Sequence, residues 1–467
     1  MILTTNRLVT FLFLILLAGS MFFYLERILF CDASFILFRI INMDSLQIQE
    51  HRYGSFITQS FPWLSAKLGL PLQMIVLLYS ASFNLFYLAV AALLIFRFGQ
   101  TSLAVLMSFY YLLFVSDTYF WTNNEVHQGV AWMFLFFGVT LSLGKKGSPP
   151  ILLLPLFLIL AFLSIYSHPL VLFPASFLWL FFMMRKDWPF SRNWTIVLSI
   201  LLFLVSYSKF ALSTGQGSHY DADKLHAATH LSFKKIFAAF TSPMAKEIVK
   251  RSIWNYWLIP ILFFSGIYFT WQQKKYRILG LTLFFSLAYF LAVCITYNDF
   301  IPFYTESEWM AGSIIFTTLF VFYVLPLLRP RSAVMILSVI YLVRLAYIGQ
   351  ASIKWTERKE WIYSWLDEMK SKKIHKGYIY ESEENKKILI MNWGVPTESI
   401  IASALRKDHP QMSFVVDKPE NISQRMPAFT GQMIAPFETI SIESLNPQYF
   451  NFDTSAQYQF IAQKSIR

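Results

Sequence analysis

The stretch ERILFCDASF (Glu26–Phe35) follows directly on a long apolar run and sets two carboxylates and an arginine close together at its end. Ionisable groups beside a membrane-type segment are costly, so each is a candidate for function. The first loop offers Glu26, Arg27, Asp32, Arg39, Asp44, Glu50, His51 and Arg52. Asp32 reads either as a reactive group placed at the lipid surface or as the N-cap of the helix that follows, a position Asp favours. QEHRYG (Gln49–Gly54) reads either as part of a site or as a polar turn closing that helix.

A second cluster, SDTYFWTNNEVHQG (Ser116–Gly129), places Asp117, Glu125 and His127 beside Trp121 with no basic residue nearby. This setting suits a sugar, whose apolar face stacks on an aromatic ring while its hydroxyls meet carboxylates. The competing account is that these groups cap two helix ends and face water. SHP (Ser167–Pro169) is a tight turn in which His168 is either a turn residue or a ligand contact. In GSHYDADKLHAATH, residues His219, Asp221, Asp223, His226 and His230 have spacings a divalent metal could use, and helical spacing puts His226 and His230 on one face. No HExxH or zinc-type pattern is present, so with Lys224, Lys234 and Lys235 the loop better suits a phosphate, a lipid headgroup or plain solvation. YNDFIPFYTESEW (Tyr297–Trp309) adds Asp299, Glu306 and Glu308 among aromatics, and Arg344 sits within an apolar run, where it faces the interior or snorkels. There is no P-loop, no GxSxG and no GxGxxG ahead of a helix.

The elements that must position these groups are membrane helices. The chain of 467 residues is 56% hydrophobic and only 14% charged, against about a quarter charged in ordinary soluble domains. Apolar runs lie before residue 350 and charge concentrates after it. Eleven spans are expected, at 8–25, 72–96, 102–116, 128–143, 151–166, 169–184, 194–212, 254–271, 278–296, 309–327 and 332–349. The first is read as a retained helix because its apolar core exceeds that of a signal peptide and no small-residue cleavage site follows.

The links between spans alternate in kind. One set is short and basic, with Arg97, then Lys145 and Lys146, Arg185, Lys186 and Arg192, Lys274, Lys275 and Arg277, and Arg329 and Arg331. The other contains the long loops, and its short members at 117–127 and 297–308 carry no Lys or Arg. The positive-inside rule then puts the N-terminus in the cytoplasm and the long loops and tail outside. The net charge of +12 is thus matched to anionic headgroups rather than to nucleic acid. Cys31 and Cys294 read as two isolated thiols, a disulfide between them being the alternative.

Within the first loop, Phe35, Phe38, Ile41 and Leu46 oppose Arg39, Asn42 and Gln47, which predicts an amphipathic helix lying along the interface. The tail predicts a charged helix over 354–372, strands at 377–381, 387–391 and 412–416, and a helix near 397–405. The expected organisation is a transmembrane domain over 1–350 and a small extracytoplasmic α/β domain over 351–467. No internal repeat is evident, which gives no support to an inverted-repeat transporter.

An acidic residue shortly after the first helix, a long first outer loop with interfacial helices, acidic residues in the second outer loop (Asp117 and Glu125) and a cytoplasmic N-terminus resemble the GT-C superfamily of integral-membrane glycosyltransferases. The likeness covers the architecture of the whole chain. The first loop departs from the superfamily in having no DxD or adjacent Asp-Glu pair. The resemblance implies a polytopic helical fold, a polyprenyl-phosphate-linked sugar as donor, and a glycan, lipid or protein hydroxyl as acceptor. It places the reaction on the outer face of a membrane, here read as the bacterial inner membrane. It implies that Asp32, or else Asp44 or Glu50, is the base that deprotonates the acceptor. Arg39, Arg52 and Lys224 would neutralise the phosphate, and His51, Asp117, Glu125, His127 and His168 would position substrate. No cofactor is required, with a divalent cation left open. A transporter or flippase would instead line a path with ionisable groups at mid-span. A glycan polymerase would want an arginine-rich outer loop, and a non-catalytic envelope-assembly protein would use the tail for contacts.

Overall fold

The computed structural model describes residues 2–122, 125–145, 150–185, 188–214, 232–297, 302–426 and 430–461. It is 74% helical, with a few small strands near the C-terminus. Helix α1 (Ile2–Phe22) leads through the short α2 (Tyr24–Ile28) into α3 (Cys31–Met43). Then come α4 (Phe56–Lys67), α5 (Leu72–Ala92), α6 (Thr101–Leu113), α7 (Glu125–Lys145), α8 (Pro150–Ile165), α9 (Leu172–Met183) and α10 (Arg192–Thr214).

Five described helices are long and apolar enough to cross a bilayer: Leu3–Phe22, Leu72–Arg97, Arg192–Leu212, Tyr276–Thr296 and Pro330–Ser371. Two further helix pairs, Phe233–Trp254 with Leu258–Gln272 and Pro302–Trp309 with Gly312–Leu327, are bent by 88° and 50° and raise the number to seven if each is one span. Several apolar helices suggest a membrane protein, but the eleven expected spans do not appear as eleven such helices among the described residues. Hydropathy reports composition, not continuity. Helix α6 has 13 residues, about 20 Å of rise, which falls short of a hydrocarbon core of about 30 Å. Its residues 103–113 are all buried, so its apolar character is consumed by packing inside the bundle.

Residues of several links meet in two separate depressions. Helix α1 has 21 residues, about 31 Å of rise. Near its start, Thr5 shares one depression with Gln100, Arg185 and Leu325, from three of the short-link regions. Past its other end, residues of the loops around 32, 50, 121, 168 and 304 meet in a second depression.

The helix Pro330–Ser371 is a single element of 42 residues, about 63 Å long, where the sequence suggested a span and a separate charged helix. Proline at its first turn suits a helix start, having no N–H to leave unpaired. Beyond it, β1 (Lys376–Tyr380) lies between β2 (Ser413–Asp417) and β5 (Tyr458–Phe460), parallel to both. Strands β3 (Gln432–Ala435) and β4 (Glu438–Ser441) form a separate antiparallel hairpin. The strand expected at 387–391 is instead mostly helix, Glu383–Leu389. Ser382 accepts from the Asn385 N–H at 3.2 Å and two acidic residues occupy the first turn, so a helix start outweighs the β-prone side chains.

The C-terminal residues do not stand apart. One apolar core joins Ile28, Leu37 and Ile41 of the first loop and Ile75 and Phe83 of α5 to Trp361, Met369, Ile400, Phe414 and Ile461. The apolar stripe of α3 is therefore buried against protein: Phe38 packs on Phe450 at 5.3 Å, and Asn42 accepts from the Asn446 N–H at 2.7 Å. Periodicity placed Phe35, Phe38 and Ile41 correctly among the buried residues, while Leu46 lies past the end of α3, and the pattern does not distinguish lipid from protein as the covering surface.

Candidate functional site

Beside the N-terminal end of α3 a cavity of about 480 Å³ is lined by Asp32, Arg39, Glu50, Arg52, Glu125 and Glu308. Trp121, His168, Tyr297, Tyr304, Trp393 and Phe437 complete most of its wall. Six charged groups and a surrounding belt of aromatic rings thus come from seven separate stretches of chain.

Asp32 stands in the first turn of α3 but does not cap it. Phe30 is the N-cap and supplies no side-chain bond. The orphan Cys31 N–H is met instead by Glu398 Oε1 at 2.6 Å, from a residue 367 positions away. Glu398 is fully buried and ion-paired with Arg358 at 2.6 Å, and Arg358 also donates to the Leu29 carbonyl at 2.6 Å. Gly394 makes this contact possible: a Cβ there would lie 2.4 Å from the Cys31 Cα. Relieved of capping, the Asp32 carboxylate faces the cavity and accepts from the Trp121 indole N–H at 2.9 Å. Burial, and then the nearby Glu125 charge, push its pKa up to about 7 against the opposing pull of Trp121 and Arg52.

Arg52 pairs with Glu125 at 3.0 Å, linking the first loop to the first turn of α7. The turn that delivers Arg52 carries two successive left-handed residues, Glu50 (φ 50°) and His51 (φ 55°), a conformation that costs non-glycine residues free energy. Lys209, buried in α10, donates to the Glu50 carbonyl at 2.9 Å and holds this turn in place. His168 serves the SHP turn, its Nδ1 accepting from the Leu170 N–H at 3.2 Å, and it also lines the cavity.

Other expected residues lie elsewhere. Asp44 ends α3 in a left-handed conformation and is exposed, 3.4 Å from Lys67. His51 turns its Nδ1 to the Tyr53 hydroxyl at 3.2 Å and is not part of the cavity wall. Asp117 pairs with Lys354 at 2.7 Å and accepts from the Trp355 indole at 3.3 Å, also off the wall. His127 is buried one helical position behind the cavity, its Nδ1 at 3.1 Å from the Tyr110 hydroxyl. Lys224, with the His- and Asp-rich run around it, lies outside the described residues, as does Asp299.

Glu306 and Glu308, two residues apart, have different neighbours. Glu306 accepts from the Ser116 and Thr118 N–H groups at 3.0 and 2.8 Å and from the Tyr256 hydroxyl, tying the 116–118 loop to its own helix. Glu308 reaches the cavity. Trp393 and Phe437 lie in the tail, to which sequence reasoning gave no site role. Their only signal was an aromatic beside a turn-forming Pro436 and another beside Gly394. Among the described residues, no three His, Cys, Asp or Glu side chains gather as a metal site. Comparison of the chain with protein-family models, curated proteins and solved structures finds no match in any of the three.

Proposed function

We propose that the protein is a membrane glycosyltransferase of GT-C type, moving a sugar from a polyprenyl-phosphate donor to an acceptor hydroxyl at this cavity. The observation that carries the reading is the meeting of Asp32 with Arg39, Arg52 and Glu125 in one depression at the end of an apolar helical bundle. In this reading the cavity faces the outside of a bacterial inner membrane and the N-terminus lies in the cytoplasm.

Asp32, in its ionised form, accepts the proton of the acceptor hydroxyl as the oxygen attacks the anomeric carbon. The bond from that carbon to the phosphate oxygen breaks, and its electron pair leaves with the lipid phosphate. Arg39 and Arg52 neutralise the departing charge. Attack in line with the leaving group inverts the anomeric configuration. Trp121 holds one carboxylate oxygen of Asp32 and so orients the other. Glu125 holds Arg52. Glu50 lies where it can meet sugar hydroxyls. A conduit reading gains little support, because the buried cations Lys209 and Arg344 are committed to backbone carbonyls. Lys209 holds Glu50, and Arg344 holds Leu112 and Val115, each at 3.0 Å.

The test is Asp32→Asn, checked for membrane insertion and assayed for transfer from a polyprenyl-phosphate sugar in vesicles. Loss of a general base predicts a fall of about a hundredfold or more. Undiminished transfer removes Asp32 from the mechanism.

A further inference from the structure

Phe437 occupies a position that a phenylalanine should avoid twice over. It is 77% exposed. It is also the second residue of the two-residue turn between β3 and β4, where Ala435 pairs with Glu438, and its φ is 64°. A turn with proline first and a left-handed residue second wants glycine or asparagine there. A bulky ring at positive φ is strained, and its exposure adds no burial to offset the strain.

The ring nevertheless has company. It packs against Trp393 at 5.1 Å with a 36° tilt, and edge-on against Phe35 at 5.9 Å. Phe35 in turn meets Trp393 edge-on at 6.1 Å. The three rings come from α3, the link before the Val395–Leu405 helix, and the hairpin tip. All three line the cavity that holds Asp32, Glu125 and Glu308. The cavity therefore combines an aromatic platform with carboxylate and guanidinium groups. A lipid chain would need apolar surface all round. A pyranose has one apolar face for the rings and a rim of hydroxyls for Asp32, Glu125, Glu308 and Arg52.

We propose that Phe35, Trp393 and Phe437 form a saccharide-binding platform contributed largely by the C-terminal residues, and that the acceptor is itself a glycan rather than a lipid or a protein. Its identification as the acceptor subsite, as opposed to a saccharide site alone, rests on the glycosyl-transfer reading above. The donor's lipid must approach from the bilayer, whereas the hairpin belongs to the polar part of the chain, past the last apolar helix.

The experiment uses the full chain in lipid nanodiscs and measures binding of methyl β-glycosides of glucose, galactose and N-acetylglucosamine by saturation-transfer NMR. Phe437→Gly removes the ring at a position whose backbone suits glycine, so the fold is retained. Loss of one stacking contact should weaken glycoside binding about tenfold, while Phe437→Tyr, which keeps a ring, should hold it near wild type. Equal binding by wild type and Phe437→Gly overturns the platform, as does failure of every glycoside to bind wild type. Ring-dependent binding of farnesyl phosphate with no ring-dependent glycoside binding also overturns it, assigning the rings to lipid. Ring-dependent glycoside binding by a protein that transfers no sugar from a polyprenyl-phosphate donor supports the platform and refutes the glycosyltransferase.

Discussion

At Asp32, burial and a neighbouring carboxylate act in the same direction. An ordinary aspartate ionises near pH 4, whereas Asp32 is pushed up to about 7, first by burial and then by Glu125. Between those two values the folded protein keeps a proton that the unfolded chain has lost. The contribution of this group to stability therefore falls as pH rises through that window. Its competence as a base runs the other way, growing as pH passes about 7. The rate of transfer should rise along a limb with its midpoint near 7, and Glu125→Gln should move that midpoint to lower pH by removing the like charge. A pH–rate profile measured on both proteins checks this. A midpoint that does not move in Glu125→Gln would assign the limb to another group.

Helix α3 holds Asp32 in place, and that helix depends on the C-terminal residues. Its first N–H is taken by Glu398, its Ser34 hydroxyl lies 3.0 Å from the Thr397 hydroxyl, and its backbone sits against Gly394. An alanine at position 394 would bring a Cβ within 2.4 Å of the Cys31 Cα, a backbone atom that cannot swing aside. Gly394→Ala should therefore separate the two segments and expose Cys31, which is fully buried in the native protein. In a Cys294→Ser background, maleimide labelling of Cys31 should be negligible while Gly394 is kept and rapid once Gly394→Ala is added, and transfer should fall with the same change. Equal labelling of the two would mean the joint tolerates the methyl group. The α3 periodicity was legible in Phe35, Phe38 and Ile41, but its cap was not. A helix start normally names its own capping residue nearby, and here it lies 367 positions on.

On the scale of the whole molecule, the polar tail shares a core with the first loop and the start of α5. Ile36, Leu37 and Ile40 of α3 belong to the same buried cluster as Trp361, Ile400 and Phe414. Residues 372–467 produced alone should consequently lack a cooperative thermal transition, because one side of their core would be missing. A sharp transition by circular dichroism, with dispersed amide signals, would show that they fold independently. Small isolated domains are marginal even with a complete core.

The sequence by itself determined that the chain is rich in apolar helices. Such properties are local: composition and periodicity of a segment set its helicity and which of its faces avoids water. Tertiary structure decided how many of those helices run unbroken, since bends and short buried helices leave hydropathy unchanged. It also decided that Asp32, Arg52 and Glu125 meet while Asp117 turns to Lys354, and that Trp393 and Phe437 join them from the far end of the chain. A segment's pattern records that a face will be buried but not by what, and a site assembled from seven stretches depends on the partner at each face.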